Sequence, residues 1–201
     1  MSLIPRMLLA LVSASLINAS GAFASVSVRD VEFNRVDDQT SSDDWLECSI
    51  EVEVRRDTQD LTRRRPDYVD DLVVELMLGV ESNVRGQNGF EFFEAEAALV
   101  SLKEGRHLVR FYLPPEIVER DSVRNEVHSF LIRLTRSGTV VEEQVSRELE
   151  GTNVLDSFLN RVDSEAAHNN AILLPQFKTP FRIAYPGKTP SFRDSGDRVG
   201  E

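Results

Sequence analysis

Few side chains in this sequence are spaced to do chemistry together. The histidines His107, His128 and His168 are scattered, and no cysteine or aspartate spacing completes a metal site around them. The short patterns typical of serine hydrolases, zinc peptidases, phosphate-binding loops and dinucleotide-binding loops are missing from the sequence. The sequence therefore predicts a protein that is not an enzyme, with no catalytic residue, no cofactor and no metal ligand.

The single cysteine, Cys48, is predicted to be an inert core thiol. It lies on the inward phase of a strand pattern, whereas a reactive thiol needs exposure and a positive neighbourhood. One cysteine cannot form an intramolecular disulfide, so the fold must depend on its hydrophobic core. His107 is also on an inward phase, which favours a hydrogen-bonded core histidine over a ligand.

Two charged segments allow more than one interpretation. The aspartates of segment 37–44 could offer oxygen ligands to Ca²⁺, although the segment lacks the ligand spacing and turn glycine of a helix–loop–helix calcium site. A solvated acidic loop is the alternative. The arginines at 63–65 lie near aspartates at 67–71, which predicts local ion pairing or, alternatively, a docking patch for an anionic surface.

The segment 171–193 combines four prolines with four aromatic side chains. Prolines at this spacing favour an extended chain over a helix. A merely disordered tail would be poor in aromatic residues, so these rings must pack on their own domain or on a partner. The candidate interaction residues are Phe177, Phe181, Ile183, Tyr185 and Phe192.

Either docking mode would use an extended segment at Pro180–Tyr185. In an edge strand the alternation of Phe181, Ile183 and Tyr185 would place all three side chains on one face. That edge could belong to the protein's own sheet or to another protein.

Seven strand-like segments position these residues. Alternation is clearest at 46–54, where every second residue is apolar, as period two requires. A phase shift near Arg29-Asp30 indicates a β-bulge or a strand that crosses between sheets. Residues 90–102 fit a strand or a helix, and counting them as a strand completes the set: 25–36, 46–54, 72–80, 90–102, 107–113, 127–134 and 139–148.

This order of strands without alternating helices predicts an all-β fold, an antiparallel immunoglobulin-like β-sandwich. Apolar residues at helical spacing predict one C-terminal helix at about 152–167, capped by Thr152 or Asn153. The predicted organisation has a sandwich domain with its helix at 25–170, an extended aromatic and proline segment at 171–193 and a disordered tail at 194–201.

The first 24 residues read as a secretory signal peptide. One arginine precedes an apolar run, and small residues end at Ala22-Phe23-Ala24. The run is too short to span a bilayer as a stable helix, so a permanent membrane span is not expected. Cleavage after Ala24 predicts a periplasmic or secreted protein.

This arrangement resembles small exported immunoglobulin-like proteins of verrucomicrobial bacteria. The resemblance covers the general plan of signal segment, cysteine-poor sandwich and helix, followed by ILLPQFKTPFRIAYPGKTPSF at 172–192. At least one such protein is associated with type IV pilus genes, which implies a cell-envelope or pilus-type setting. The predicted cut at Ala24 differs from ordinary type IV pilins, which keep their hydrophobic segment for assembly.

Charge and composition limit the classes of partner that this protein could bind. The net charge of −11 argues against nucleic acid and against a polybasic hold on anionic lipid. The functional hypothesis is an exported, non-enzymatic sandwich that acts through protein–protein contacts in an envelope or pilus-type assembly. A carbohydrate- or ligand-binding module is the alternative, although only one tryptophan and three tyrosines are available to stack on a sugar.

Overall fold

The computed structural model describes residues 25–37, 43–56, 67–82, 89–123, 127–187 and 189–193. The predicted signal peptide, most of the acidic segment 37–44, the arginines at 63–65 and the segment 194–201 lie outside these ranges.

Within the described residues the chain forms nine strands and two α-helices. The strands are β1 (Ser25–Asp37), β2 (Asp44–Arg55), β3 (Tyr68–Ser82), β4 (Gly89–Lys103), β5 (Gly105–Leu113), β6 (Ser129–Arg136), β7 (Thr139–Val145), β8 (Leu174–Pro175) and β9 (Phe192–Arg193). The helices are α1 (Pro115–Arg120) and α2 (Thr152–Glu165). Residues 90–102, which fitted a strand or a helix, belong to the long strand β4.

The strands form two antiparallel sheets packed face to face. Sheet 1 has the order β1-β2-β5-β8, and sheet 2 has the order β7-β6-β3-β4-β9. The pairing of first, second and fifth strands against a sheet built around the third and sixth is the strand order of immunoglobulin-type sandwiches. The predicted all-β antiparallel sandwich is confirmed.

The core lies between the sheets and follows the predicted alternation. Ile50 and Val52 of β2 are fully buried, and so are Val74, Leu76 and Leu78 of β3. The bulge in β1 is also confirmed, because the pairing with β2 shifts register between Val28 and Asp30.

Helix α2 covers the outer face of sheet 2. Phe158 and Val162 of α2 are buried in a second apolar cluster with Met77, Phe92 and Leu131 of the sheet. The helix begins where predicted, but the predicted side-chain cap is wrong. Gly151 is the N-cap residue, so no side chain accepts a hydrogen bond there.

The short helix α1 was not predicted. Strand β5 ends before Pro114 and Pro115, as expected, because proline cannot donate to a sheet ladder. Pro115 then opens α1, since proline fits the first turn of a helix, where its missing N–H costs nothing. No helix in the described part of the chain is long and apolar enough to cross a membrane.

Candidate functional site

The tail, residues 171–193, runs along the side of the sandwich where β4 and β5 form the sheet edges. Its first strand, β8, pairs with β5 at Phe111 and Tyr112 and so extends sheet 1. Its second strand, β9, pairs with β4 at Ala98 and Leu99 and extends sheet 2. The tail therefore docks on its own domain and joins both sheets.

Between these strands the tail covers the outer face of sheet 1. Period two turns Trp45 and Glu47 of β2 away from the core, and Arg110 and Tyr112 of β5 share that outer face. Period two places Glu47 on the outer face of the strand, yet the side chain is buried there. Glu47 is only 6% exposed to solvent, and Tyr112 is fully buried.

Phe181 supplies the apolar part of the cover. Its ring stacks on Tyr112 with centroids 4.6 Å apart and an interplanar angle of 10°. It also meets Trp45 edge-on, with centroids 5.8 Å apart. Trp45 in turn meets Tyr112 edge-on. These three rings contact one another, and they include the single tryptophan that a sugar site would need.

The Glu47 carboxylate lies beside these rings and accepts hydrogen bonds from two tyrosines. The Tyr112 hydroxyl donates to Glu47 Oε2 over 2.7 Å, and the Tyr185 hydroxyl donates to the same oxygen over 3.3 Å. Burial and the Glu47 carboxylate raise the pKa of Tyr112, and the same causes raise the pKa of Tyr185. Both phenols therefore remain protonated donors at neutral pH.

Arg110 completes the cluster as a buried cation. Its Nε lies 3.6 Å from Glu47 Oε1, which is an ion-pair distance but too long for a good hydrogen bond. The guanidinium also lies 4.0 Å from the centre of the Tyr185 ring, where the negative face of the ring attracts it. Tyr185 adopts a φ of 59°, a conformation that costs energy for a bulky residue, and these contacts hold it there.

Gln176 fixes the tail internally. It is fully buried, and its Nε2 donates to Phe181 O at 3.0 Å and to Ala184 O at 3.3 Å. The same nitrogen lies 3.2 Å from Thr189 Oγ1. The side-chain amide of Gln176 thus links Phe181, Ala184 and Thr189, which lie before, within and after residues 182–187.

The loop 182–187, between these anchors, faces solvent. Ile183 is 82% exposed, and Tyr185 retains 37% of its surface. Arg182, Pro186 and Gly187 are exposed as well. An apolar loop is therefore presented outward on a base of buried contacts.

The structure separates the five candidate interaction residues into three groups. Phe181 and Tyr185 lie on the outer face of sheet 1. Phe177 and Phe192 contact each other, with centroids 5.1 Å apart, and Phe192 packs against the core. Ile183 points away from both groups into solvent.

The predicted extended strand at Pro180–Tyr185 is wrong. Residues Pro180–Ile183 form a 3₁₀ turn in which Thr179 Oγ1 accepts from the Phe181 N–H. A 3₁₀ turn does not alternate its side chains, so Phe181 is buried while Ile183 is exposed. The prolines exclude a long helix but accommodate single turns, since Pro180 occupies the first turn.

Cys48 and His107, two residues considered for chemistry, make contacts within the fold. Cys48 is buried, and burial together with the neighbouring Glu47 carboxylate raises the pKa of its thiol strongly. His107 is half-buried rather than in the core, and its Nε2 lies 2.6 Å from Lys103 O. In the ranges that the structure describes, no group of three histidine, cysteine or acidic side chains is arranged to hold a metal ion.

Sequence reasoning missed Glu47, Arg110, Tyr112 and Gln176. The sequence does contain a signal for Glu47, Arg110 and Tyr112. Trp45 and Tyr112 are large rings at outward-facing positions of neighbouring strands, so another part of the chain is expected to cover that face. Gln176 gives no such signal, since its role depends on how the tail turns after β8.

Comparisons with known proteins agree with this architecture. A crystal structure of a protein from Akkermansia muciniphila superposes with a TM-score of 0.66 at 16% identity, covering 85% of this chain and 93% of that chain. Akkermansia is a verrucomicrobial genus, and the similarity at this identity shows the shared fold. No curated protein matches the sequence. A protein-family model matches residues 22–188, and the chain belongs to that family.

Proposed function

We propose that this protein is an exported, non-enzymatic β-sandwich that acts by protein–protein contact in a cell-envelope or pilus-type assembly. The observation that carries the proposal is the exposed loop 182–187, which buried contacts anchor on both sides. A loop already held in one conformation loses little freedom when a partner binds, so more of the contact energy appears as affinity.

The proposed export of the protein is based on its N-terminal sequence. The signal-peptide pattern that ends at Ala24 supports export to the periplasm or beyond the cell. The resemblance to exported verrucomicrobial proteins, one of them associated with type IV pilus genes, supports the envelope setting.

The contact surface rests on the chemistry of the loop. Ile183, Tyr185 and Pro186 offer apolar area with few rotatable bonds, and Arg182 adds a charged rim. An apolar centre with a polar rim is the usual composition of a specific protein interface. The partner in this proposal is an envelope protein with a complementary apolar recess.

Recovery of partners from an envelope extract tests the proposal. Ile183→Asp places a charge at the centre of the contact and should reduce recovery of the specific partner by about tenfold or more. The matched control is Val154→Asp, because Val154 is also an exposed aliphatic residue but lies in the first turn of α2. An acidic residue is well tolerated at a helix N-terminus, so the control should fold.

Unchanged recovery with Ile183→Asp would contradict the proposal. An equal loss with Val154→Asp would contradict it too, since the effect would then not belong to the loop.

A further inference from the structure

A second surface lies on the side of the sandwich where β4 forms the sheet edge. A groove of about 490 Å³ opens between β4, the C-terminal end of α2 and the start of the tail. Its β4 wall is Glu94–Glu96, its helix wall includes Val162 and Asp163, and its tail wall includes Leu173 and Pro175. This volume is within the range of about 300–1,000 Å³ that is typical of binding pockets.

In the described part of the chain, strand β4 is paired over most of its length on one side and over two residues on the other. Its ladder with β3 keeps one register from Lys103 to Gly89, with one interruption where Val100 lies opposite Asp71, whose φ is 56°. On the other side, β9 pairs only with Ala98 and Leu99, and one more bond joins the Val100 N–H to Ser191 O.

The free backbone groups of β4 can be assigned from these contacts. The Val100 N–H points away from β3, and the Phe92 carbonyl also does so, because it accepts from Asn169 Nδ2. Backbone direction repeats every second residue in a regular strand, so Glu94 and Glu96 also direct their N–H and C=O groups away from β3. In the described part of the chain these groups have no backbone partner and face the groove.

The side chains around this edge are acidic. Glu94 and Glu96 are exposed on the outer face of sheet 2, and Asp163 of α2 lies across the groove. Among the groove residues that the structure describes, Lys178 is the one basic side chain. Burial and the Glu94 carboxyl group raise the pKa of the adjacent Glu75 to about 7, although Arg133, 3.0 Å away, acts in the opposite direction.

We propose that the β4 edge accepts an extended basic segment of another protein as an added strand. The N–H and C=O groups of Glu94 and Glu96 would pair with the backbone of this segment, as in other cases of strand addition. Its basic side chains would lie opposite Glu94 and Glu96, since opposite charges on facing strands stabilise a pair. Small or apolar residues between them would face the inner side of the strand, where Ala95 packs against the core.

Charge also argues for a partner rather than for the chain's own continuation. The residues that follow β9 in the sequence are Asp194-Ser195-Gly196-Asp197. The two aspartates among these four residues do not complement Glu94 and Glu96 in charge. Like charges in direct opposition are destabilising, so a basic segment is the better match for this edge.

A labelled peptide of sequence Lys-Ala-Lys-Val-Lys-Ala tests the inference on the full chain by fluorescence anisotropy at low salt. We expect saturable binding to the protein. A peptide of the same sequence with N-methyl groups on alternate backbone nitrogens keeps the charge but cannot form the ladder, and should bind at least about tenfold more weakly.

Variants of the protein provide the reciprocal test. Glu96→Pro removes the N–H that faces the groove but no bond to β3, because proline is tolerated on the open side of an edge strand. It should weaken peptide binding by about tenfold, and Glu96→Gln should weaken it less, since only the charge is lost. The control Glu32→Gln, an exposed acid of β1, should leave binding unchanged.

Absence of peptide binding to the unaltered chain would overturn the inference. Equal binding of the N-methylated peptide would overturn it as well, even if Glu96→Pro failed to fold. The Ile183→Asp variant should bind the peptide normally, so the outcome at this groove is independent of the outcome at the loop 182–187.

Discussion

Phe181 stacks on Tyr112 across the boundary between the tail and the sandwich, with 4.6 Å between the ring centroids. The two residues come from segments that the sequence places far apart, and the tail contributes strands to both sheets. The aromatic tail is thus part of the fold, and the loop 182–187 is its exposed part.

Replacement of Phe181 should therefore destabilise the isolated protein. Phe181→Ala removes a buried ring from contact with Tyr112 and Trp45, and we expect a loss of about 3 kcal/mol in the free energy of unfolding. The matched change Ile183→Ala removes an exposed side chain and should cost about 0.5 kcal/mol or less. Urea titrations measure both, and equal losses would contradict the docking of the tail through Phe181.

Gln176 should control the local stability of the loop. Gln176→Leu keeps a side chain of similar length but removes its donor from two carbonyls. Phe181 O keeps the Ala184 N–H at 2.9 Å, whereas Ala184 O keeps only the 3.5 Å contact from Thr189 Oγ1. We therefore expect a cost of about 1–3 kcal/mol, mainly at the Ala184 carbonyl. Hydrogen exchange should show faster exchange at the Arg182 and Ala184 amides, with β2 unaffected. Unchanged exchange at these amides would show that the amide of Gln176 does not hold the loop.

Glu75 should make stability depend on pH. Burial and the Glu94 carboxyl group raise its pKa to about 7 in the folded protein, above the ordinary value of 4.5. Its contribution is therefore complete below about pH 4.5 and is lost as the pH rises through 7. Glu75→Gln should remove this decline between pH 4.5 and 7 in urea titrations, whereas Glu32→Gln should retain it. A parallel pH dependence in the protein and Glu75→Gln would contradict the assignment.

Cys48 should be unreactive in the folded state. The side chain is 1% exposed, and burial disfavours the thiolate that reacts with thiol reagents. A disulfide reagent at pH 8 should therefore label the protein only after denaturation. Rapid stoichiometric labelling of the native protein would mean that β2 opens readily.

The sandwich could be predicted because its signals are local. In β2 and β3 the side of each residue follows from period two alone, and the β6–β7 hairpin follows from Ser137-Gly138, both of which adopt positive φ in the turn. Glu47 shows the limit of this reasoning. Its position in the alternation places Glu47 on the outer face of sheet 1. That this face is covered depends on the path of the tail, which is distant in the sequence.

The sequence identified the tail as a segment that packs, but it did not predict the conformation of the tail. Its aromatic residues correctly indicated that it must pack, whereas alternation at Phe181, Ile183 and Tyr185 wrongly indicated a strand. The turns depend on the buried amide of Gln176 and on Tyr185 at positive φ, and both result from contacts with the rest of the chain. Neither has a local sequence signal.

Photo-cross-linking in intact cells tests the central claim most directly, because it reads contacts of the loop in place. A benzoylphenylalanine at position 183 should give one discrete adduct with an envelope protein after irradiation. The same residue at position 154, which is also exposed, should not give that adduct. Absence of an adduct from position 183, or the same adduct from both positions, would contradict a specific contact through the loop 182–187.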